Sequence, residues 1–307
     1  MGRLPVKRFL LFVSAIVAAV AAMMLANDAL NKRLALSSHS SPQYKMWRLF
    51  ANPEKGEIPI LGSSRAEAGF APKEISEEAF NYGLSGSTFR ETAFHLEEVL
   101  SRKDCRLAIV NLDPWGLGAA SSFIGDYRFA AGAGRVRREP LARLPALERI
   151  PGVRSHGRTR LALSDWLNER LAVTKTMERG AILQRISRSA DEWKIIASKS
   201  PDEYQFSVDA ATKAILERLL RSNGSCQIVF VLSPVSQIWL GRFHRFQELR
   251  SLVAWLESFD RVAVLDFLSP GEGYGMEEFM DPTHLNEHGA RRFSRELRTA
   301  LLARGLL

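Results

Sequence analysis

The sequence predicts a three-layer α/β fold with a central parallel sheet of about five strands. Short apolar runs alternate with helical patterns along the 307 residues, and 46% of the residues are hydrophobic, enough for a sizeable core. The runs have no polar residues at alternate positions, so both faces of each strand should be covered by helices. The predicted strands are Ile58–Gly62, Phe80–Tyr82, Leu107–Leu112, Ile228–Leu232 and Val262–Phe267.

Helical spacing occupies the stretches between and after these strands. Thr88-Phe89-Arg90-Glu91 fits a capping box, and apolar residues at helical spacing follow it up to residue 100. Further helices are predicted at about 208–222, at about 244–258 and from about Asn286 to Ala303. Strand and helix therefore alternate in the way that parallel sheets require.

An uncharged apolar segment, Phe9–Ala26, lies near the N-terminus after the basic residues Arg3, Lys7 and Arg8. Its 18 residues come close to the ~20 that cross a bilayer, and the basic flank favours a cytoplasmic N-terminus. A cleavable signal peptide is the alternative, although the run exceeds the usual ~7–15 residues and no A-x-A site ends it. Both interpretations place the body of the protein outside the cytoplasm, and we expect the periplasm.

These patterns divide the chain into three parts. Residues 1–27 are the predicted anchor or signal, the polar and turn-rich residues 28–56 a tether, and residues 57–307 an α/β domain. Residues 116–200 break the alternation and are predicted to be an insertion, with residues 161–196 helical.

The insertion carries most of the excess positive charge. The net charge is +8, and residues 114–200 contain 16 Lys and Arg against 8 Asp and Glu, so that 26 and 26 remain elsewhere. Nucleic acid is excluded as a partner because the chain is predicted to be exported and has no nucleic-acid-binding motif. Seven arginines could line the path of an anionic polymer, or face solvent and lipid headgroups. They are Arg128, Arg135, Arg137, Arg138, Arg154, Arg158 and Arg160.

Two cysteines, Cys105 and Cys226, each precede a predicted strand. If these strands are neighbours, the thiols lie near one another and could pair in an oxidising compartment. Two buried free thiols are the alternative, because the sequence does not give their separation.

Polar residues follow the predicted strands at the edge where parallel sheets bind ligands. Gly62-Ser63-Ser64 follows the first strand, and Asp113-Pro114-Trp115 follows the third. Asp281 and His284 lie in a turn after the last strand. A serine becomes nucleophilic when a base takes its proton and an acceptor orients that base, so Ser64, His284 and Asp281 are a candidate triad. A metal site on His284 and His288, four residues apart, is the weaker alternative because no third cluster of His or Cys supports it.

These motifs together resemble the SGNH (GDSL-like) hydrolases. "LGSS" is similar to the first family motif, with Ser63 in place of Asp and Ser64 at the nucleophile position. "NYGLSGST" resembles the second motif and puts Gly86 at the oxyanion position, beside the Ser64 N–H. "DPTHLNEHGA" matches the last motif and gives Asp281 and His284. The third motif, G-x-N-D, is not matched, since "NLDPWG" stands there without the oxyanion asparagine.

The resemblance covers about residues 57–113 and 225–304 and implies a flavodoxin-like fold. With an N-terminal anchor, the G-S-S form is more like the extracytoplasmic branch that includes alginate O-acetylation proteins and the D-alanyl-teichoic-acid transfer protein. It implies an acyltransferase or esterase acting on O-acyl groups, expected to be O-acetyl, of a cell-surface polysaccharide. A multi-spanning membrane acyltransferase is the implied partner, and no cofactor or metal is implied.

Two further expectations complete this interpretation. Asp113, Trp115, Arg65 and Arg128 are candidate substrate-binding residues near the rim. The missing asparagine keeps a second hypothesis open, namely a catalytically inactive membrane-tethered protein of the same fold that binds glycan or assists polysaccharide assembly.

Overall fold

A computed structural model describes residues 6–118, 124, 127, 159–171, 174–268 and 273–307. A mixed α/β body contains a five-stranded parallel sheet with the strand order β2-β1-β3-β8-β9. Two small sheets pair β4 with β7 in parallel and β5 with β6 as an antiparallel hairpin. The described strands are β1 (Ile58–Leu61), β2 (Ala79–Asn81), β3 (Leu107–Asn111), β4 (Gly116–Leu117), β5 (Lys175–Glu178), β6 (Ala181–Gln184), β7 (Ser207–Val208), β8 (Gln227–Leu232) and β9 (Val262–Asp266).

Helices cover both faces of the five-stranded sheet. On one face α2, α5, α8 and α10 enclose an apolar cluster, and on the other α3, α4, α11 and the β5–β6 hairpin enclose a second cluster. The described helices are α1 (Val6–Ser37), α2 (Pro42–Ala51), α3 (Ser64–Gly69), α4 (Pro72–Ile75), α5 (Phe89–Leu100), α6 (Thr159–Leu171), α7 (Ala190–Lys199), α8 (Ala210–Ser222), α9 (Gln237–Leu240), α10 (Phe246–Glu257) and α11 (Glu287–Ala303), with a 3₁₀ turn at Met276–Glu278.

The strands are buried on both faces, as their unbroken apolar composition predicts. In β3, Ile109 belongs to one cluster and its neighbour Val110 to the other. Phe230 and Val231 divide in the same way in β8. Successive side chains of a strand point to opposite faces, so continuous apolar runs fill two cores at once. The predicted parallel sheet of five strands is confirmed.

The insertion differs from the predicted helix over residues 161–196. The structure has α6, then the β5–β6 hairpin, and then α7. Arg179 and Gly180 form the hairpin turn, both with positive φ, and β6 packs with α3. Ala181 and Leu183 alternate with less buried residues along β6, a period-two pattern that indicates a strand.

Residues 28–56 do not form the predicted tether. Helix α1 continues to Ser37, and α2 packs on the sheet with Met46, Leu49 and Phe50 in the core. Ser41 caps α2 by accepting a hydrogen bond from the Tyr44 N–H at 3.1 Å. The polar, turn-rich stretch before this cap is therefore a helix–helix junction, and packing of the α/β body begins before residue 57.

The capping box predicted at Thr88 to Glu91 is also absent. Thr88 occupies the N-cap position of α5 without a side-chain capping bond. Glu91 is buried and instead accepts hydrogen bonds from the Tyr127 hydroxyl at 2.8 Å and the Ile124 N–H at 3.1 Å. A tertiary contact with the insertion has replaced the local one, so α5 holds residues 124 and 127 against the body.

The alternative left open for the cysteines is settled in favour of a bond. Cys105 and Cys226 form a disulfide with Cα atoms 5.1 Å apart. Each precedes one of two paired strands, β3 and β8, whose register aligns Leu107 with Gln227. The bond therefore lies at the amino ends of the strands, opposite to the edge that carries the candidate triad.

Helix α1 is long and apolar enough to cross a membrane. The segment Arg8–Ser37 contains an 18-residue window of mean hydropathy 2.7 that is not buried against the rest of the chain. At the end of the apolar run, Asn27 accepts a hydrogen bond from the Thr159 hydroxyl of α6 at 2.8 Å. This helix could anchor the chain in a membrane.

Candidate active site

The candidate nucleophile lies where β1 turns into α3. Gly62 has φ +149°, and a Cβ there would come within 2.8 Å of the Ala66 Cβ, so this turn needs glycine. Ser63 caps α3 by accepting from the Arg65 N–H at 3.3 Å. Ser64 is the first helical residue and stays partly exposed. The sequence "LGSS" thus makes a tight turn that presents one hydroxyl at the rim.

The three residues of the predicted triad meet. The Ser64 Oγ lies 2.8 Å from the His284 Nε2, although 220 residues separate them. The His284 Nδ1 lies 2.8 Å from Asp281 Oδ2 and 3.0 Å from Asp281 Oδ1. With the proton on Nδ1, the imidazole faces Ser64 with its free lone pair, which is the arrangement a general base requires.

Asp281 is held as an acceptor by its own turn. Its Oδ1 accepts from the Thr283 N–H at 2.8 Å, the Thr283 hydroxyl at 3.0 Å and the His284 N–H at 3.0 Å. Burial acts to raise the pKa of Asp281, but the bonds from His284 and Thr283 outweigh it and lower the pKa below its ordinary value of 3.8. The carboxylate is therefore ionised at neutral pH and able to orient the imidazole.

Arg65, predicted to bind substrate, is instead buried and bonded to the main chain. Its guanidinium is buried and donates to three main-chain carbonyls, those of Thr283 at 2.9 Å, Ser233 at 2.8 Å and Pro234 at 2.9 Å. Burial lowers its pKa to about 10, against the opposing effect of Asp113 and Asp281, so it stays charged at neutral pH. Arg65 therefore joins the nucleophile helix to the loop after β8 and to the residue before His284.

Asp113 and Trp115, also predicted to bind substrate, lie next to the Arg65 guanidinium. Asp113 is 5% exposed, lies 3.7 Å from the Arg65 Nη1 and accepts from the Asn111 amide at 2.9 Å. Burial raises the pKa of Asp113, and Arg65 and the Ser63 hydroxyl oppose that rise. The Arg65 guanidinium carbon lies 5.8 Å from the centre of the partly exposed Trp115 ring. Asp113 is thus a buried support for the nucleophile turn, and Trp115 keeps some accessible surface.

Asn111 does not replace the oxyanion asparagine of the unmatched third motif, because both ends of its amide are hydrogen-bonded within the protein. Its amide nitrogen donates to Asp113, and its amide oxygen accepts from the Ser233 hydroxyl at 2.8 Å. Its side chain is buried at the end of β3. Asn111 therefore joins β3 to β8, and no asparagine of this segment takes the place of the oxyanion donor.

The candidate oxyanion loop, residues 81–88, runs beside the nucleophile turn. The Leu84 N–H donates to the Gly62 carbonyl at 3.0 Å. Gly83 packs so closely on α3 that a Cβ would lie 2.5 Å from the Glu67 nitrogen. Gly86 is exposed with φ +82°, and within the described residues its N–H makes no main-chain hydrogen bond. The loop is thus fixed to α3, and Gly86 offers an accessible donor just ahead of α5.

A buried ion pair that sequence reasoning missed fixes this loop. Lys45, fully buried on α2, donates to Glu67 Oε1 at 2.7 Å and to the Gly83 carbonyl at 2.6 Å. The other oxygen of Glu67 accepts from the Ser85 hydroxyl. Burial lowers the pKa of Lys45, and Glu67 opposes that effect. The signal was a charged residue on the apolar side of a helical pattern in the supposed tether.

The remaining predicted residues lie apart from this site or outside the described part of the chain. Arg128 falls outside the described residues, as do Arg135, Arg137, Arg138, Arg154 and Arg158, while Arg160 is exposed on α6. His288, considered as a metal ligand with His284, is 75% exposed and lies 3.9 Å from Glu278. The two ring nitrogens of His284 face Ser64 and Asp281. Among the described residues no group of three or more His, Cys, Asp or Glu could hold a metal ion.

Comparisons with known proteins add little to this description. No family model matches the sequence, and no curated protein matches it. Among solved structures, the chain is similar to a protein described provisionally as a platelet activating factor from Streptococcus pneumonia. The TM-score is 0.41 with 12% identity, over 94% of this chain and 99% of the other. At this level of similarity we draw no conclusion about fold family or activity from it.

Proposed function

We propose that this chain is an extracytoplasmic serine acyltransferase or esterase of the SGNH type, acting on O-acetyl groups of a cell-surface polysaccharide. The observation that carries the proposal is the continuous series of contacts from Ser64 through His284 to Asp281, at 2.8 Å each. A hydroxyl, an imidazole and a carboxylate in that order form the arrangement by which serine enzymes activate a nucleophile.

In the proposed first step, His284 Nε2 takes the Ser64 proton as Oγ attacks the ester carbonyl. The imidazolium formed is stabilised by ionised Asp281. The carbonyl oxygen becomes an oxyanion, which accepts hydrogen bonds from the Ser64 and Gly86 N–H groups. Collapse of this intermediate breaks the ester C–O bond. His284 gives its proton to the departing sugar hydroxyl, and the acetyl group remains on Ser64.

In the second step, His284 takes a proton from the acceptor as its oxygen attacks the acetyl carbonyl. Collapse of this intermediate breaks the bond between Ser64 Oγ and the acetyl group, and His284 returns the proton to Oγ. A sugar hydroxyl as acceptor makes the reaction a transfer, and water makes it a hydrolysis. A transferase needs an acyl donor outside the cytoplasm, so we expect a multi-spanning membrane acyltransferase as partner. The apolar helix α1 and the Cys105–Cys226 disulfide support an extracytoplasmic location, since disulfides persist in oxidising compartments.

The test uses the purified full-length chain in detergent with a chromogenic acetyl ester. Ser64→Ala and His284→Ala are each expected to reduce hydrolysis by at least about 10³-fold. Ser198→Ala, which changes an exposed serine on α7, should leave the rate unchanged. Because a strict transferase can ignore the model ester, acetyl transfer from an acetylated donor to oligosaccharides is followed in parallel by mass spectrometry. Equal activity of all variants in both assays would overturn the proposal.

A catalytically inactive glycan-binding or assembly protein is the second candidate. It is favoured by one observation, the commitment of Asn111 to Asp113 and Ser233 instead of to an oxyanion. This candidate predicts oligosaccharide binding that is unchanged in Ser64→Ala, together with no turnover of either substrate by the parent chain.

A further inference from the structure

A cleft of about 320 Å³ adjoins the candidate oxyanion loop, with Leu84 and Ser85 of that loop in its wall. Its volume falls at the lower end of the roughly 300–1,000 Å³ of small-molecule sites. Three separate segments form its walls: the junction between α1 and α2, the α3 and oxyanion-loop side, and the β5–β6 hairpin. The residues that matter below are Ser38, Ser40, Glu67, Ser85, Lys175 and Ile182.

The cleft is close to the proposed nucleophile along the structure. Glu67 lines it and follows Ser64 by three residues on α3, a rise of about 4.5 Å. Ser85 also lines it and immediately precedes Gly86. Ile124 closes one side, with its Cδ1 3.5 Å from where a Cβ on Gly86 would be. The cleft therefore adjoins both the helix that carries Ser64 and the loop that carries Gly86.

The charges lining the cleft are not balanced. Glu67 is already neutralised by Lys45 at 2.7 Å. Lys175 is partly buried at the cleft wall and has no ion-pair partner within the described ranges. One cation therefore faces the cleft without a counter-charge. Serine hydroxyls and the apolar side chains of Leu84, Met177 and Ile182 make up much of the rest of the wall.

Lys175 stands on a hairpin that is held in place. The Arg179 carbonyl at the hairpin turn accepts from the Asn81 N–H of β2 at 2.8 Å. At the other side, the Thr176 hydroxyl donates to Glu287 at 2.8 Å. Ala181 and Leu183 are buried in the core. The backbone that carries Lys175 is therefore held by the fold, as a specific recognition site requires.

We propose that this cleft binds a sugar unit carrying an anionic oxygen group, a carboxylate or a phosphate, with Lys175 as its charged contact. The Ser40 and Ser85 hydroxyls donate to Met177 and Glu67, so their oxygens are left to accept from sugar hydroxyls. The apolar side chains suit the C–H face of a sugar ring, and the unpaired ammonium suits the anion. The inference rests on the proposed function for the role of this ligand as acceptor or substrate polymer. It also moves the polymer contact to a residue of the insertion that sequence analysis did not single out.

The experiment uses the full-length Ser64→Ala chain in detergent, so that no turnover disturbs binding. Tri-galacturonate, neutral tri-galactose and galactose 1-phosphate are titrated by calorimetry and saturation-transfer NMR. We expect an anionic sugar to bind roughly tenfold more tightly than the neutral one, and Lys175→Met to remove this preference. Lys199→Met changes an exposed lysine of α7 outside the cleft and should have no effect. Ile182→Trp fills the cleft and should abolish binding of all three sugars.

The three sugars distinguish a carboxylate polymer from a phosphate polymer, and the hydrolysis assay distinguishes the proposed cleft from the proposed enzyme activity. Lys175-dependent binding of galacturonate points to a carboxylate polymer, and of the phosphate sugar to a phosphate polymer. Equal affinity for charged and neutral sugars, an anion preference that survives Lys175→Met, or binding unaffected by Ile182→Trp would overturn the inference. Ser64-dependent ester hydrolysis without sugar binding would defeat the cleft alone. Lys175-dependent binding with hydrolysis insensitive to Ser64 would defeat the proposed enzyme and leave the cleft.

Discussion

The two sides of Ser64 are fixed by buried cations of different kinds. On the base side, the Arg65 guanidinium donates to three main-chain carbonyls, and Asp113 is 3.7 Å away, beyond a direct hydrogen bond. On the oxyanion side, the Lys45 ammonium forms an ion pair with Glu67 at 2.7 Å and donates to one carbonyl. A planar fork joins several loops at once, whereas a compact ammonium joins one carboxylate to one loop.

The difference has a physical consequence for the two loops. Loss of the arginine leaves three neutral carbonyls without donors and removes the cation 3.7 Å from Asp113, which keeps the hydrogen bond from the Asn111 amide. Loss of the lysine leaves an uncompensated buried carboxylate, which costs about 3–5 kcal/mol. A substitution of Lys45 on the oxyanion side should therefore lower the free energy of unfolding more. A substitution of Arg65 on the base side should mainly displace the loops that it joins.

The largest expected effect is on the base side. Asp281→Asn keeps the size of the side chain but removes the charge that fixes the proton on His284 Nδ1. We expect a roughly 10⁴-fold fall in kcat for ester hydrolysis with the fold retained, because the wrong tautomer cannot accept the Ser64 proton. Steady-state kinetics and circular dichroism measure the two parts. A fall of less than tenfold would mean that Asp281 does not orient the base.

The same variant has a pH signature. The native pKa of Asp281 lies below its ordinary value of 3.8, so its contribution to stability is fully present above that pH and is lost as pH falls through the native pKa. The parent should thus exceed Asp281→Asn in urea midpoint at about pH 6, and the gap should narrow at about pH 3. A gap that is constant between these conditions would contradict the bonds assigned to this carboxylate.

The next effect tests the oxyanion side. Lys45→Met should lower the free energy of unfolding by about 3–5 kcal/mol, because Glu67 is left charged and buried. It should also lower kcat by about 10–100-fold, since small displacements of a site cost that much. Urea unfolding and steady-state kinetics measure these changes in the full-length chain.

A double variant separates position from stability. Lys45→Met with Glu67→Met replaces the ion pair by apolar groups and should restore most of the stability. If Lys45 positions the Gly86 loop, kcat stays low while KM changes little. Recovery of both stability and kcat would show that the ion pair serves the fold alone.

The sheet and the triad could be predicted because both depend on local patterns. Apolar runs such as Leu107–Asn111 give strands directly, and the sheet brings Ser64 and His284 together because ligand sites form at the carboxyl ends of parallel strands. The Lys45–Glu67 pair depends on the approach of α2 to α3, which no local pattern encodes. The hairpin at residues 175–184 has strands of only four residues, so its period-two pattern is too short to identify from the sequence, and packing against α3 fixes it as a hairpin.

A smaller effect is expected from Arg65→Lys. An ammonium reaches one or two of the three carbonyls that the guanidinium joins, so the loop carrying His284 should loosen. Lysine keeps a positive charge near Asp113, so no buried carboxylate loses its counter-charge. We expect kcat to fall by roughly tenfold and the urea midpoint to fall less than in Lys45→Met. A larger loss of stability than in Lys45→Met would reverse the comparison between the two sides. Arg298→Lys, a donor to the Ile75 carbonyl away from the triad, is the matched control.

The smallest effect on activity is expected from the paired substitution of Cys105 and Cys226 by serine. The disulfide closes a chain segment with a sequence separation of 121 residues, so its loss should lower the free energy of unfolding by about 2–5 kcal/mol. Because the bond lies at the amino ends of β3 and β8, the distances between Ser64, His284 and Asp281 should be unchanged below the unfolding transition. We expect kcat within about twofold of the parent at a temperature where both are folded, since distant sites act independently. A large loss of kcat without unfolding would mean that the two ends of the sheet are coupled. The positions of the loops on both sides of Ser64 would then depend on β3 and β8 as well as on Arg65 and Lys45.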